Sequence, residues 1–165
     1  ASFVDYLYLN PDNTTTPDLS AYDTIIDTTG NDQVLEMLGQ IAGKRKLILS
    51  ASVGLGANRL YLCMFKKKSP DISAFFEKIS PYLIADRKEC DARMSDLPRD
   101  GIGCWHPLFP ATASDMWIAA GLTQKALEKF AECREHDSLM VVYERIDCIN
   151  SFDGLMPIEV LYDVV

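Results

Sequence analysis

Close cysteine pairs, a basic excess, a membrane-length apolar run and a glycine-rich phosphate loop are all missing from this 165-residue sequence. Each absence removes a class of protein. The five cysteines (Cys63, Cys90, Cys104, Cys133 and Cys148) are odd in number and widely spaced, which argues against a disulfide framework or a paired-cysteine zinc site and for a reducing, cytoplasmic setting. A net charge of −8 leaves no basic face for phosphates, so no nucleic acid is expected as a partner. The two basic runs, Lys44-Arg45-Lys46 and Lys66-Lys67-Lys68, read as a helix end and a solvated turn. No apolar run reaches the length of a bilayer span and no secretory leader is visible, so no membrane association is expected. Neither an internal repeat nor a low-complexity segment is present.

What is present is the composition of one globular domain, 48% hydrophobic and 24% charged. The chain opens at Ala1 in a strand-like stretch with no initiator methionine, and is expected to be a piece of something longer. Phe3 to Leu9 reads as a strand and Asn10 to Leu19 as a loop. Asp23 to Thr29 reads as a second strand. Asn31 or Asp32 can cap a helix running to Gly43, with Val34, Leu35, Leu38 and Ile41 at helical spacing. Lys46 to Val53 and Arg59 to Phe65 read as strands around a turn at Gly54 to Asn58. Asp71 can cap a helix whose apolar residues are Ile72, Phe75, Phe76 and Ile79. Residues 85–103 are charged, poor in large apolar residues and end in glycines, and are expected to form an exposed crossover loop. Thr112 or Ser114 can cap a long helix to about Cys133, with Met116, Ile118, Ala119, Leu122, Ala126 and Phe130 inward and Trp117 in the core. Leu139 to Asp147 and Pro157 to Val164 alternate strongly and read as a hairpin around a loop containing Asp153-Gly154. The order predicts an α/β fold, a three-layer mixed sheet that is parallel at the start and antiparallel later.

Three local patterns bear on chemistry. Gly54-Leu55-Gly56 suggests a dinucleotide fingerprint, but Arg59 stands where the third glycine belongs and a strand follows where a pyrophosphate needs a helix N-terminus. A tight turn between strands is expected instead. Asp27, Thr28, Thr29 and Asn31 lie where a strand meets a helix. They form either a ligand edge at the end of a parallel sheet or a satisfied, capped turn. Cys104, in Cys104-Trp105-His106-Pro107, is either a reactive thiolate beside a histidine or a buried structural cysteine. Cys90 is a second, weaker candidate. Cys63 lies in an apolar strand and is expected in the core, and His136, after a helix end, is expected to be exposed.

Taken together, Y-D-T-I-I-D-T-T-G-N (22–31), L-I-L-S-A-S-V-G-L-G-A-N-R-L-Y-L (47–62) and G-I-G-C-W-H-P-L-F-P-A-T-A-S-D-M-W-I-A-A-G-L (101–122) resemble the second half of an adenylation domain of the ThiF/MoeB/HesA family. The third stretch is especially similar to the activating modules of bacterial proteins that fuse a conjugating-type domain to an activating-type one. The resemblance implies a Rossmann-like, ATP-binding domain, able to pair as a homodimer, that activates a ubiquitin-like or sulfur-carrier protein. In such proteins ATP and the carrier's C-terminal carboxylate form an acyl-adenylate, and some members pass the acyl group to a cysteine. Carried over, it makes Asp27, Thr29, Gly30 and Asn31 a cofactor-binding edge and Cys104 the acyl acceptor, and assigns no residue to a metal. ATP and Mg2+ are expected only in the full-length parent, because the phosphate-loop half is missing from this chain. The family's D-x-T-D-N pattern places Gly30 where a magnesium-holding aspartate stands. That departure motivates an alternative, a non-catalytic domain kept for interaction or dimerisation. A half of a nicotinamide-dependent dehydrogenase is a further, weaker alternative.

Overall fold

The computed structural model describes residues 22–41, 47–66, 72–93, 111–148 and 151–163. The expected strand at Phe3 to Leu9, the loop after it and Cys104 lie outside them. Among the described residues, five strands form a single sheet in sequence order: β1 (Thr24–Asp27), β2 (Leu47–Val53), β3 (Arg59–Lys66), β4 (Ser138–Cys148) and β5 (Ser151–Tyr162). β1 and β2 run parallel, pairing Thr24 with Leu47 and Asp27 with Ser50, and helix α1 (Asp32–Ile41) joins them. The remaining pairs are antiparallel. The mixed sheet expected from the sequence is therefore the sheet observed.

Burial explains the layering. β3 is buried along almost its whole length, as a central strand covered on both faces must be. Its alternate residues divide between two cores. Tyr61, Cys63 and Phe65 meet Val34, Leu35 and Leu38 of α1 and Phe75 and Ile79 of helix α2 (Ile72–Arg93). Leu60, Leu62 and Met64 meet Ala119, Ala126 and Phe130 of helix α3 (Ala113–Glu132) on the opposite face. The described residues thus form three layers, with two helices on one side and one on the other.

Three expectations are corrected. Residues 85–93 belong to α2 and are not a crossover loop, and Cys90 is thus helical; residues 94–103 lie outside those described. The buried stripe of α2 continues past Ile79 through the half-buried Tyr82 to the buried Asp86, and a stripe ending in polar tips does not read as apolar periodicity. On α3, Met116 is 42% exposed and Trp117 is 77% exposed, neither being core. Trp117 sits roughly 200° round the helix from Ala119 at about 100° per residue, on the solvent side. In the hairpin, β5 starts at Ser151, so Asp153-Gly154 lies inside the strand. Gly154 has φ 123° and pairs with Ile146 beside a register shift. There a glycine supplies the positive φ of a bulge, and the Asp-Gly cue marks that bulge and not the turn. Among the described residues no helix is long and apolar enough to cross a membrane.

Candidate ligand edge and a buried charge cluster

β1 ends, β2 ends, β3 begins, β4 ends and β5 begins at one end of the sheet. Four of the buried polar residues, Asp27, Ser50, Arg59 and Asp86, gather at or near this end, while Ser138 lies at the other. Open α/β sheets take ligands at the carboxyl ends of their parallel strands, which here are the ends of β1 and β2.

The structure brings Asp27, Thr29, Gly30 and Asn31 together as one hydrogen-bonded turn. Asp27 is 5% exposed. Its Oδ1 accepts from the Thr29 amide at 3.0 Å and from Thr29 Oγ1 at 2.8 Å, and its Oδ2 accepts from Ser50 Oγ at 2.8 Å. Thr29 Oγ1 accepts in turn from the Asn31 amide at 3.2 Å. Asn31 Oδ1 then caps α1 by accepting from the amides of Gln33 and Val34. Gly30, at φ 61°, is the left-handed link that lets this path close. A Cβ placed on it would meet Ser52 Cβ at 3.7 Å, an ordinary contact, so the position has room for a side chain but a backbone that favours glycine. Both Asp27 oxygens already accept from the protein, and Gly30 brings no carboxylate. The edge as built therefore does not fit a magnesium-ligating site.

The turn after β2 is confirmed as a turn between antiparallel strands. Residues Leu55–Ala57 form a single 3-10 turn, with Gly56 at φ 73° and Ala57 at φ 54°. Ala57 is a buried non-glycine residue in the left-handed region, a conformation that costs roughly 1 kcal/mol or more and persists only where its surroundings enforce it.

Next to this turn, at Asn58 and Arg59, begins a charge cluster that sequence reading missed. Arg59 opens β3 and is 8% exposed. Its guanidinium forms ion pairs with Asp86 of α2 and Glu144 of β4, stands 3.9 Å from Glu89 and lies 5.8 Å above the Tyr82 ring. Asp86, 1% exposed, also accepts from Tyr61 Oη at 2.6 Å. Asn58 Nδ2 donates to Glu89 at 2.9 Å, so the turn itself is fastened to α2. Arg59 Nε has no hydrogen-bond partner among the described residues. Burial pushes the Asp86 carboxyl above the usual carboxylate range, against the opposing pull of Tyr61 and Arg59. Burial, with the Asp86 carboxylate as hydrogen-bond acceptor, also holds the Tyr61 phenol protonated far above its ordinary range. The partners of Arg59 lie 27 and 85 residues away in sequence, out of reach of any local pattern. The available signal was an arginine heading an otherwise apolar strand, which needs a buried counter-charge.

On the other face, the start of α3 closes over the same sheet end. Val53, Ala57, Leu60, Ile118, Ala119 and Leu155 line a small recess there, together with the charged Arg59 and Asp115. Asp115 closes a capping box with Thr112 and accepts from Arg145 Nη1 at 3.3 Å. The sequence expectation of a cap at Thr112 is therefore met.

No family model matches the chain. One relative does. Over 110 residues, 62% of its length, the chain is 36% identical to the ATP-dependent ubiquitin transferase-like protein Cap2 of Enterobacter hormaechei subsp. hoffmannii (strain UCI 50). The match covers 17% of Cap2, so the chain corresponds to a small part of that protein.

Proposed function

We propose that this chain is part of a larger protein that activates a ubiquitin-like or sulfur-carrier protein with ATP, and that it supplies one wall of the adenylating site. The observation that supports this reading is the 36% identity to a protein named as an ATP-dependent ubiquitin transferase-like protein. The position of Asp27–Asn31 at the carboxyl ends of β1 and β2 agrees with it. In this reading the carrier's C-terminal carboxylate attacks the α-phosphate of ATP, forming acyl-adenylate and releasing pyrophosphate. The chain's own contribution is positional: Asp27 and Thr29 fix the turn, Asn31 fixes the start of α1, and Gly30 keeps the wall free of a side chain. Groups that hold phosphate and magnesium come from outside the described residues. Cys104 is the proposed acceptor of the acyl group.

The test is ATP–pyrophosphate exchange by the full-length parent, followed by incubation with ATP and the carrier. Exchange together with a thiol-reducible adduct that Cys104→Ala abolishes is the expected result. An adduct that survives this substitution removes the role of Cys104. A second reading, a non-catalytic interaction domain, draws on one feature: the only acidic side chain of the edge has both oxygens occupied, and Gly30 adds none. A parent that binds the carrier but shows no exchange would favour this second reading.

A further inference from the structure

One side of β2 forms a row of small residues that runs from the ligand edge to the buried charge cluster. Side chains two apart in an extended strand share a face. Gly54, at φ −67° and ψ 165°, prolongs the extended chain one residue past Val53. Ser50, Ser52 and Gly54 therefore line up. Ser50 Oγ holds Asp27 Oδ2 at 2.8 Å. Ser52 Cβ lies 3.7 Å from the place a Gly30 Cβ would take. Gly54 is seated on Asp86 so closely that a Cβ there would overlap the carboxylate and stand 3.1 Å from the Tyr61 ring. The row has no long side chain that could absorb a displacement by changing rotamer.

Asp86 is fixed from its other side. Arg59 and Tyr61 hold its two oxygens, and Arg59 is itself held by Glu144. We propose that Asp86 is a positioning residue for the Asp27–Asn31 edge, acting through Gly54, Ser52 and Ser50. The buried carboxylate sets where the end of β2 stands, and the end of β2 sets where the turn at Thr29 to Asn31 stands. What the edge binds rests on the adenylation reading; the coupling itself rests on the contacts.

Amide hydrogen exchange on the full-length parent without nucleotide tests the coupling directly. The variants are Tyr61→Phe, which removes one hydroxyl, Asp86→Asn, and Gly54→Ala. The amides of Thr29 and Asn31 are expected to exchange roughly tenfold faster in Asp86→Asn, the order of change that follows loss of a charged hydrogen bond, with the β4–β5 hairpin at its wild-type rate. Tyr61→Phe should show a smaller change at the same amides, and it serves should Asp86→Asn fail to fold. Adding Asp86→Ala to Gly54→Ala removes the overlapping carboxylate and should slow exchange at residues 50–54 relative to Gly54→Ala alone. Unchanged exchange at Thr29 and Asn31, or uniform acceleration across the sheet, overturns the proposal. A parallel measurement of ATP–pyrophosphate exchange should show KM for ATP rising more than kcat falls. A wild-type parent with no exchange would sink the adenylation reading, while the amide data would still decide the coupling.

Discussion

Single residues in this chain divide by what burial does to them. Cys63 is fully buried in β3, and that burial pushes its thiol up to about 12. In the native protein Cys63 should therefore resist maleimide, and modification should appear only with unfolding; labelling of Cys63 in folded protein would contradict this. Asp163 behaves in the opposite way. Hydrogen bonds from His136 and from the amides of Ser138 and Asp137 hold its carboxyl below the usual range. Asp115 is also lowered: burial opposes ionisation there, but the Thr112 hydrogen bonds and Arg145 outweigh it. For both groups the folded value lies below the unfolded one. The stability they contribute is complete above the ordinary carboxylate value, about 4, and is lost as pH falls through the folded values. Asp86, raised by burial, has the opposite sign over its own window. Asp163→Asn should flatten the acid limb of the thermal midpoint plotted against pH, and an unaltered limb would show that the bonds at the end of β5 add nothing. His136, expected to be exposed, is half-buried, bonded to Asp163 at 2.7 Å and stacked on Tyr162.

Elements were legible where local chemistry decides them. The Thr112 cap is written in Thr-Ala-Ser-Asp, and its capping box is formed. Thr112→Ala should cost about 1 kcal/mol in urea unfolding, with the loss confined to stability. The C-terminal half of α2 was not legible. Pro81 stands inside the helix, and the stripe beyond it is carried by Tyr82 and Asp86, whose partners are on β3 and β5. An interior proline lacks the N–H its turn needs, so Pro81→Ala, at an exposed position, should raise stability by about 1 to 3 kcal/mol. A fall in stability would mean that the proline is favoured by packing. The ligand edge was half legible. Strand, polar turn and cap could be read from Ile25 to Asn31, but the bond from Ser50 to Asp27 crosses 23 residues and decides how fully the carboxylate is occupied.

At the scale of the whole molecule, β3 is the common wall of both cores. Leu62, with no exposed surface, faces α3. Leu62→Ala should cost about 3 to 4 kcal/mol, the combined loss of transfer energy and the cavity left behind. A cost under 1 kcal/mol would show that α3 closes onto the gap. The expected sheet, parallel at the start and antiparallel later, followed from turn and periodicity cues, and among the described residues successive strands are neighbours throughout. The face each helix covers did not follow, since it depends on which alternate set of β3 residues a helix meets. β5 is the last strand in this order, and among the described residues it is twelve residues long, with Ile158, Val160 and Tyr162 exposed along it. An edge of that length and character would ordinarily recruit other chains into a growing sheet. Pro157 interrupts it, and register shifts kink the hairpin at Val142/Tyr143 and Ile146/Asp147. The same irregularities that misplaced the turn in the sequence reading thus act as a guard against fibrous self-association. Replacing Pro157 with valine should lower the concentration at which the protein precipitates.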